Sequence, residues 1–182
     1  MRLRHRLTAL TLVGAALLAC ISAGPAAGAP TKKKALNPCK LLKVAEIEAQ
    51  FGGPLTRVDS DPESKDDCGY EVAPNDVASQ GGELIVRLLW PSKDSGKSAG
   101  TDALDAVAKA KEFDGQTQPI IDITGVGASA YLNDFTVTLT FAKDAKKAYS
   151  IQWADNDIST FGLATPQPIV DRLKALALEI IS

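Results

Sequence analysis

Residues 135–153 constrain this chain more than any other stretch. Phe135-Thr136-Val137-Thr138-Leu139-Thr140-Phe141 places an apolar side chain at every odd position and threonine at every even one. Period two over seven residues marks a strand with one buried and one solvated face. Lys143-Asp144-Ala145-Lys146-Lys147 is a polar turn, and Tyr149-Ser150-Ile151-Gln152-Trp153 returns with the same alternation. The expected unit is a β-hairpin whose inward aromatic and branched residues form the floor of a hydrophobic core.

The flanking segments supply further strands and the helices. Asn37 can cap a helical turn with Pro38 at its first position. Leu41, Val44, Ile47 and Phe51 follow at helical spacing until Gly52-Gly53-Pro54 stops them. Leu55 to Asp59 reads as a short strand, and Cys68, Tyr70 and Val72 alternate along another. Glu83 to Trp90 is apolar on both sides, with Leu84, Val86, Leu88 and Trp90 on one face and Ile85 and Leu89 on the other, which predicts a central strand. Thr101 can cap a helix to Phe113, with Asp102, Asp105, Lys109 and Glu112 on its polar face and Leu104, Val107, Ala108 and Ala110 mostly opposite. Ile120 to Ile123 and Ala128 to Leu132 are short strands around Gly125-Val126-Gly127. Thr165-Pro166 opens a last helix whose Ile169, Val170, Leu173, Leu176, Ala177 and Ile180 stripe should lie on the sheet. The expected fold is α+β: a single antiparallel sheet of about six strands packed by an N-terminal, a middle and a C-terminal helix, in one domain over residues 37–182.

Residues 1–29 read as a signal peptide. Arg2, Arg4 and Arg6 precede an apolar run from Leu7 to Ala19, shorter than the roughly 20 residues of a membrane span. Leu17-Leu18-Ala19-Cys20 resembles a lipobox, which makes Cys20 a candidate lipidation site, although Leu18 stands where a small or β-branched residue is usual. Ordinary cleavage further on is the alternative, with small residues offered by Ala26-Ala27-Gly28. Residues 30–36 form a linker containing Lys32-Lys33-Lys34, which stays solvated as a tether or, on a lipid-anchored chain, lies near anionic headgroups. The expected location is outside the cytoplasm, on the outer face of the cell membrane as a lipoprotein or secreted.

Three cysteines are an awkward number for an exported protein. With Cys20 lipidated or removed, Cys39 and Cys68 remain, and an oxidising compartment favours a disulfide between them over two separate buried thiols.

The chemistry the chain lacks is as informative. Its one histidine, His5, lies in the signal peptide, so the mature chain has no imidazole for triad catalysis, acid–base work or metal ligation. A net charge of -2 over 182 residues offers no concentrated basic surface for nucleic acid. Asp59-Ser60-Asp61-Pro62-Glu63, with Asp66 and Asp67, fails the EF-hand spacing at Ser64 and Tyr70 and reads as a solvated acidic loop. Ser95-Gly96-Lys97-Ser98 lacks the upstream glycine of a Walker A motif, since Pro91 holds that place. Gly125-Val126-Gly127 has no third glycine and no following helix, which suits a tight turn better than a dinucleotide site. Trp90, Trp153, Tyr131 and Tyr149 can line a pocket, but the two tryptophans fall on the apolar phase of their strands and fit a core better. No spacing singles out a carboxylate pair for glycoside hydrolysis.

Asn37-Pro38-Cys39-Lys40-Leu41-Leu42 with Glu46, Cys68-Gly69-Tyr70, and Gly125-Val126-Gly127 with Ala130-Tyr131-Leu132 and the terminal helix together carry a likeness. Over residues 37–182 the chain resembles a family of short exported actinobacterial proteins, many of them lipoproteins, defined only as a domain of unknown function. Tyr70 stands where that family more often has tryptophan. The resemblance implies a cysteine pair, an envelope location and a fold similar to the compact α/β sheets of the photosystem-subunit PsbP type, and it brings no catalytic residue.

The function expected on these grounds is non-enzymatic, with no cofactor or metal. It is a binding module for an envelope protein or a small ligand, with no nucleic-acid partner and membrane contact only through the N-terminal lipid. A carrier with an apolar cavity between sheet and helices is the alternative, and a histidine-independent hydrolase using carboxylates or a Ser-Lys pair the second.

Overall fold

The computed structural model describes residues 36–58, 66–76, 78–91, 101–155 and 165–182. The expected signal peptide with Cys20, nearly all of the expected linker, the acidic residues 59–63 and Ser95-Gly96-Lys97-Ser98 lie outside them. The folded unit spans residues 35–182.

Among the described residues the elements run in the order α1 (Val44–Phe51), β1 (Leu55–Val58), β2 (Asp67–Val72), β3 (Gly82–Trp90), α2 (Ala103–Gly115), β4 (Ile120–Asp122), β5 (Ser129–Asn133), β6 (Thr138–Asp144), β7 (Lys147–Asp155) and α3 (Gln167–Ile181), preceded by a 3-10 turn over Pro38–Lys40. The seven strands form one antiparallel sheet in the order β1-β2-β3-β7-β6-β5-β4. Two meanders, β1–β3 and β4–β7, are thus joined along β3 and β7, which at nine residues each are the longest strands. The α+β class and the single antiparallel sheet stand as expected, with one strand more than the sequence suggested.

The alternation of side chains builds the core row by row, because residues directly opposite in an antiparallel pair share a face. Leu132, Leu139, Ile151, Val86 and Cys68 lie opposite one another across five strands. Trp153, Leu84 and Tyr70 form a second such row. α1 and α3 cover this face, contributing Ile47 and Phe51 from α1 and Val170, Leu173, Leu176 and Ala177 from α3. The two helices are tied at one end by Arg172, whose guanidinium donates to the carbonyl of Gln50 in the last turn of α1. Asn75 donates to the carbonyl of Phe51 at 3.0 Å and satisfies another group that the helix terminus leaves open.

The expected first helix is split. Asn37 caps the 3-10 turn by accepting from Cys39 N–H at 2.9 Å. A fresh start then follows, where Glu46 accepts from the Lys43 backbone N–H at 2.8 Å. The break rotates the apolar stripe, so Leu42 is buried while Val44 is 45% exposed.

The run that opens at Phe135 is strand only from Thr138. Asn133 accepts from the N–H groups of Phe135 and Thr136, so an Asx turn captures 134–137 before the alternation can act. Val137 pays for that turn with φ 49°, a conformation unusual for a β-branched residue. The far end behaves as expected, with Asp144 accepting from the N–H groups of Lys146 and Lys147 across a two-residue loop.

The second face of that hairpin is not wet throughout. Thr140 is 4% and Ser150 7% exposed, because α2 lies over them. Trp90 also departs from expectation. A bulge between Leu88 and Trp90 brings Trp90 opposite Ala148 and onto the face under α2, away from Leu84, Val86 and Leu88.

Candidate binding face

Cys39 and Cys68 form a disulfide with Cα atoms 5.1 Å apart, inside the usual range for an unforced bridge. Cys68 is buried at the β2 end of the apolar row, so the bond holds the 3-10 turn to the sheet from the core side. The two sulfurs are thereby committed to each other.

Between the sheet and α1/α3 the described side chains pack closely, with Ile47, Phe51, Leu84, Val86, Phe141 and Leu176 fully buried. The four aromatics considered as pocket residues are divided: Trp153 and Tyr149 belong to this core, while Tyr131 and Trp90 lie with α2. They share no site.

The other face is of a different kind. One residue along from the apolar row, the pairing sets Asp122, Tyr131, Thr140, Ser150, Arg87 and Asp67 opposite one another across six strands. The next row carries Ile120, Asn133, Thr138, Gln152, Ile85, Gly69 and Val58. A sheet buried on both faces ordinarily reads apolar on both, and here the second face mixes hydroxyls, amides and charge with apolar side chains.

α2 crosses only part of it. Asp102 caps the helix by accepting from Asp105 N–H at 2.9 Å, and Asp105 in turn accepts from Thr101 N–H at 2.7 Å. That backbone N–H, with Lys109 beside it, holds the Asp105 carboxyl below the usual carboxylate range. The helix buries Ala103 and Val107 against Tyr131, Ala142 and Ala148, with Leu89, Trp90, Ala110 and Ile120 partly buried around them. At its far end Tyr131 donates to Asp114 at 3.0 Å. Burial, together with the neighbouring Asp114 carboxylate, pushes the Tyr131 phenol far above its ordinary value. On one flank Lys111 pairs with Asp122 of β4. Phe113 lies about 200° around the helix from Lys111, so it faces away from β4 and is 73% exposed.

The face left beside the helix is half open. Ile85, Thr138 and Gln152 are partly buried and Arg87 is exposed. Asp67 Oδ1 is buried at the end of the polar row without a hydrogen-bond partner. Among the described residues no three His, Cys, Asp or Glu side chains gather as a metal-binding group, and no helix is long and apolar enough to cross a membrane.

Of the sites named from sequence, Cys39 and Cys68 are brought together and Cys20 lies outside the described residues. The polar second face went unnoticed. Its signal was present as the even-numbered residues Thr138, Thr140, Ser150 and Gln152, but only strand order shows that Tyr131, Arg87 and Asp67 continue the row. No family model, no curated protein and no solved structure matches the chain.

Proposed function

We propose that the mature protein is an exported, non-enzymatic binding module of the cell envelope, and that the polar second face of the sheet is where it binds. The observation that carries the reading is the strip beside α2, where Thr138 and Gln152 are partly buried and Arg87 is exposed, because a hydroxyl, an amide and an arginine side by side on a sheet suit a hydrogen-bonding partner better than they suit a core. The non-enzymatic part is supported by the chemistry available: hydroxyls and amides without an imidazole, and two sulfurs joined to each other.

Export is supported by the N-terminal charge and apolar run, and by the resemblance to exported domains of unknown function. Retention as a lipoprotein through Cys20 or release by cleavage after Gly28 is decided by the intact mass of the exported product. The complete burial of Ile47, Phe51, Leu84 and Leu176 between the sheet and the two helices favours a packed core over a carrier's cavity there.

The test is photo-crosslinking in the envelope from a reactive side chain at Thr138 or Gln152, with Lys174 on α3 as control. Adducts from the sheet positions and none from the helix are expected. Equal labelling at all three would overturn the assignment of the face.

A further inference from the structure

We propose that α2 is a lid. It lifts from the sheet as a unit while both meanders, α1 and α3 stay folded, and the face it uncovers completes the polar row. What the uncovered face does rests on the binding reading above; the lifting itself stands on packing.

The two covers of the sheet are unequal. α3 seats Val170, Leu173 and Leu176 on apolar rows, so raising it would wet large aliphatic and aromatic side chains. α2 seats two alanines and one valine as its buried residues. It lies on Tyr131, Ala142 and Ala148, with Trp90, Leu89 and Ile120 partly buried beside them, and it also covers the hydroxyls of Thr140 and Ser150. A hydroxyl returned to water exchanges one hydrogen bond for another, so uncovering it costs little. Opening free energies in a folded protein follow the apolar surface each unit uncovers, and α2, which buries two alanines and one valine of its own, uncovers less than α3.

Beside that packing, a small set of polar latches holds the lid down. Ala103 N–H donates to the Ala145 carbonyl at 3.1 Å at one end. Tyr131 donates to Asp114 at 3.0 Å at the other, and Lys111 pairs with Asp122 on the flank. Two latches engage residues of the polar row itself, Tyr131 and Asp122. A ligand that hydrogen-bonds the row therefore competes directly with the closed helix.

Native-state hydrogen exchange read by mass spectrometry tests this on the full exported chain, by comparing protection in residues 103–115, 147–155 and 167–181. The α2 amides are expected to be protected at least ten-fold less than those of α3 and β7. Tyr131→Phe should lower α2 protection several-fold further and leave α3 and β7 unchanged, and Lys111→Ala should act in the same direction. Equal protection of α2 and β7, falling together in the Tyr131→Phe variant, would overturn the lid. The lid and the binding face fail separately: uniform protection with adducts from Thr138 and Gln152 removes only the lid, and a loose α2 without those adducts removes only the binding face.

Discussion

Trp153 of β7 stacks its indole on the ring of Phe51 from α1, with centroids 4.7 Å apart and planes 27° from parallel. The pair joins one of the two longest strands to the shortest of the described α-helices, and it sets how closely the neighbouring strand can approach. A Cβ built on Gly82 would lie 2.5 Å from Trp153 Cζ2, so glycine there makes room for the indole. Trp153→Ala should cost about 3–5 kcal/mol. Gly82→Ala should cost about 1–3 kcal/mol in the wild-type background and measurably less beside Trp153→Leu. Urea unfolding of the four chains measures this, and strict additivity would show that the ring is not what Gly82 accommodates.

The disulfide closes a separation of 29 residues. In the chain-entropy view its loss removes roughly 3–4 kcal/mol. The Cys39→Ala, Cys68→Ala double variant should therefore unfold at a clearly lower urea concentration while keeping its far-ultraviolet signal in buffer. Thiol labelling of the denatured, unreduced mature protein should find neither residue free.

Gly125 and Gly127 both adopt positive φ, 80° and 59°, but their surroundings differ. Nothing lies within 4 Å of a Cβ at Gly125, whereas one at Gly127 would run into the backbone carbonyl of Ala142. Gly125→Ala should cost about 1 kcal/mol from the backbone alone. Gly127→Ala should cost distinctly more, because β6 must shift to admit the methyl group. Equal midpoints for the two variants would contradict the close approach.

All three tyrosines of the chain, Tyr70, Tyr131 and Tyr149, are buried, and burial raises each phenol above its ordinary value of 10. The fold favours the protonated form, so this contribution to stability is complete below the unfolded value and is lost as pH rises through the folded ones. Phenolate absorbance should stay flat through pH 10 in the native protein, then rise together with the loss of circular dichroism. Tyr131→Phe removes the group with the largest upward shift and should move that alkaline transition. A tyrosine that ionises near pH 10 with the fold intact would contradict its burial.

Much of the architecture was legible in the chain. Both strands at the joint of the meanders, the α3 stripe and the cysteine pair were visible because each depends on a local period or a count. The misreadings share one cause. Val44, Phe135 and Trp90 each follow the local period, but Glu46, Asn133 and a bulge at Leu88 respectively reset it by backbone hydrogen bonding. Periodicity does not register a capping group or an inserted residue.

The sequence by itself determined that β6 and β7 pair as a hairpin, that one face of the sheet is apolar, and that Cys39 and Cys68 are the sulfurs available to each other. Only the tertiary structure decided that β7 lies beside β3, that α2 crosses the opposite face, and that Tyr131, Thr140, Ser150, Arg87 and Asp67 fall in one line. The physical reason is one of range. Side-chain alternation and turn chemistry act over a few residues and are written in the chain, whereas a row across six strands exists only once segments far apart in sequence have taken their register.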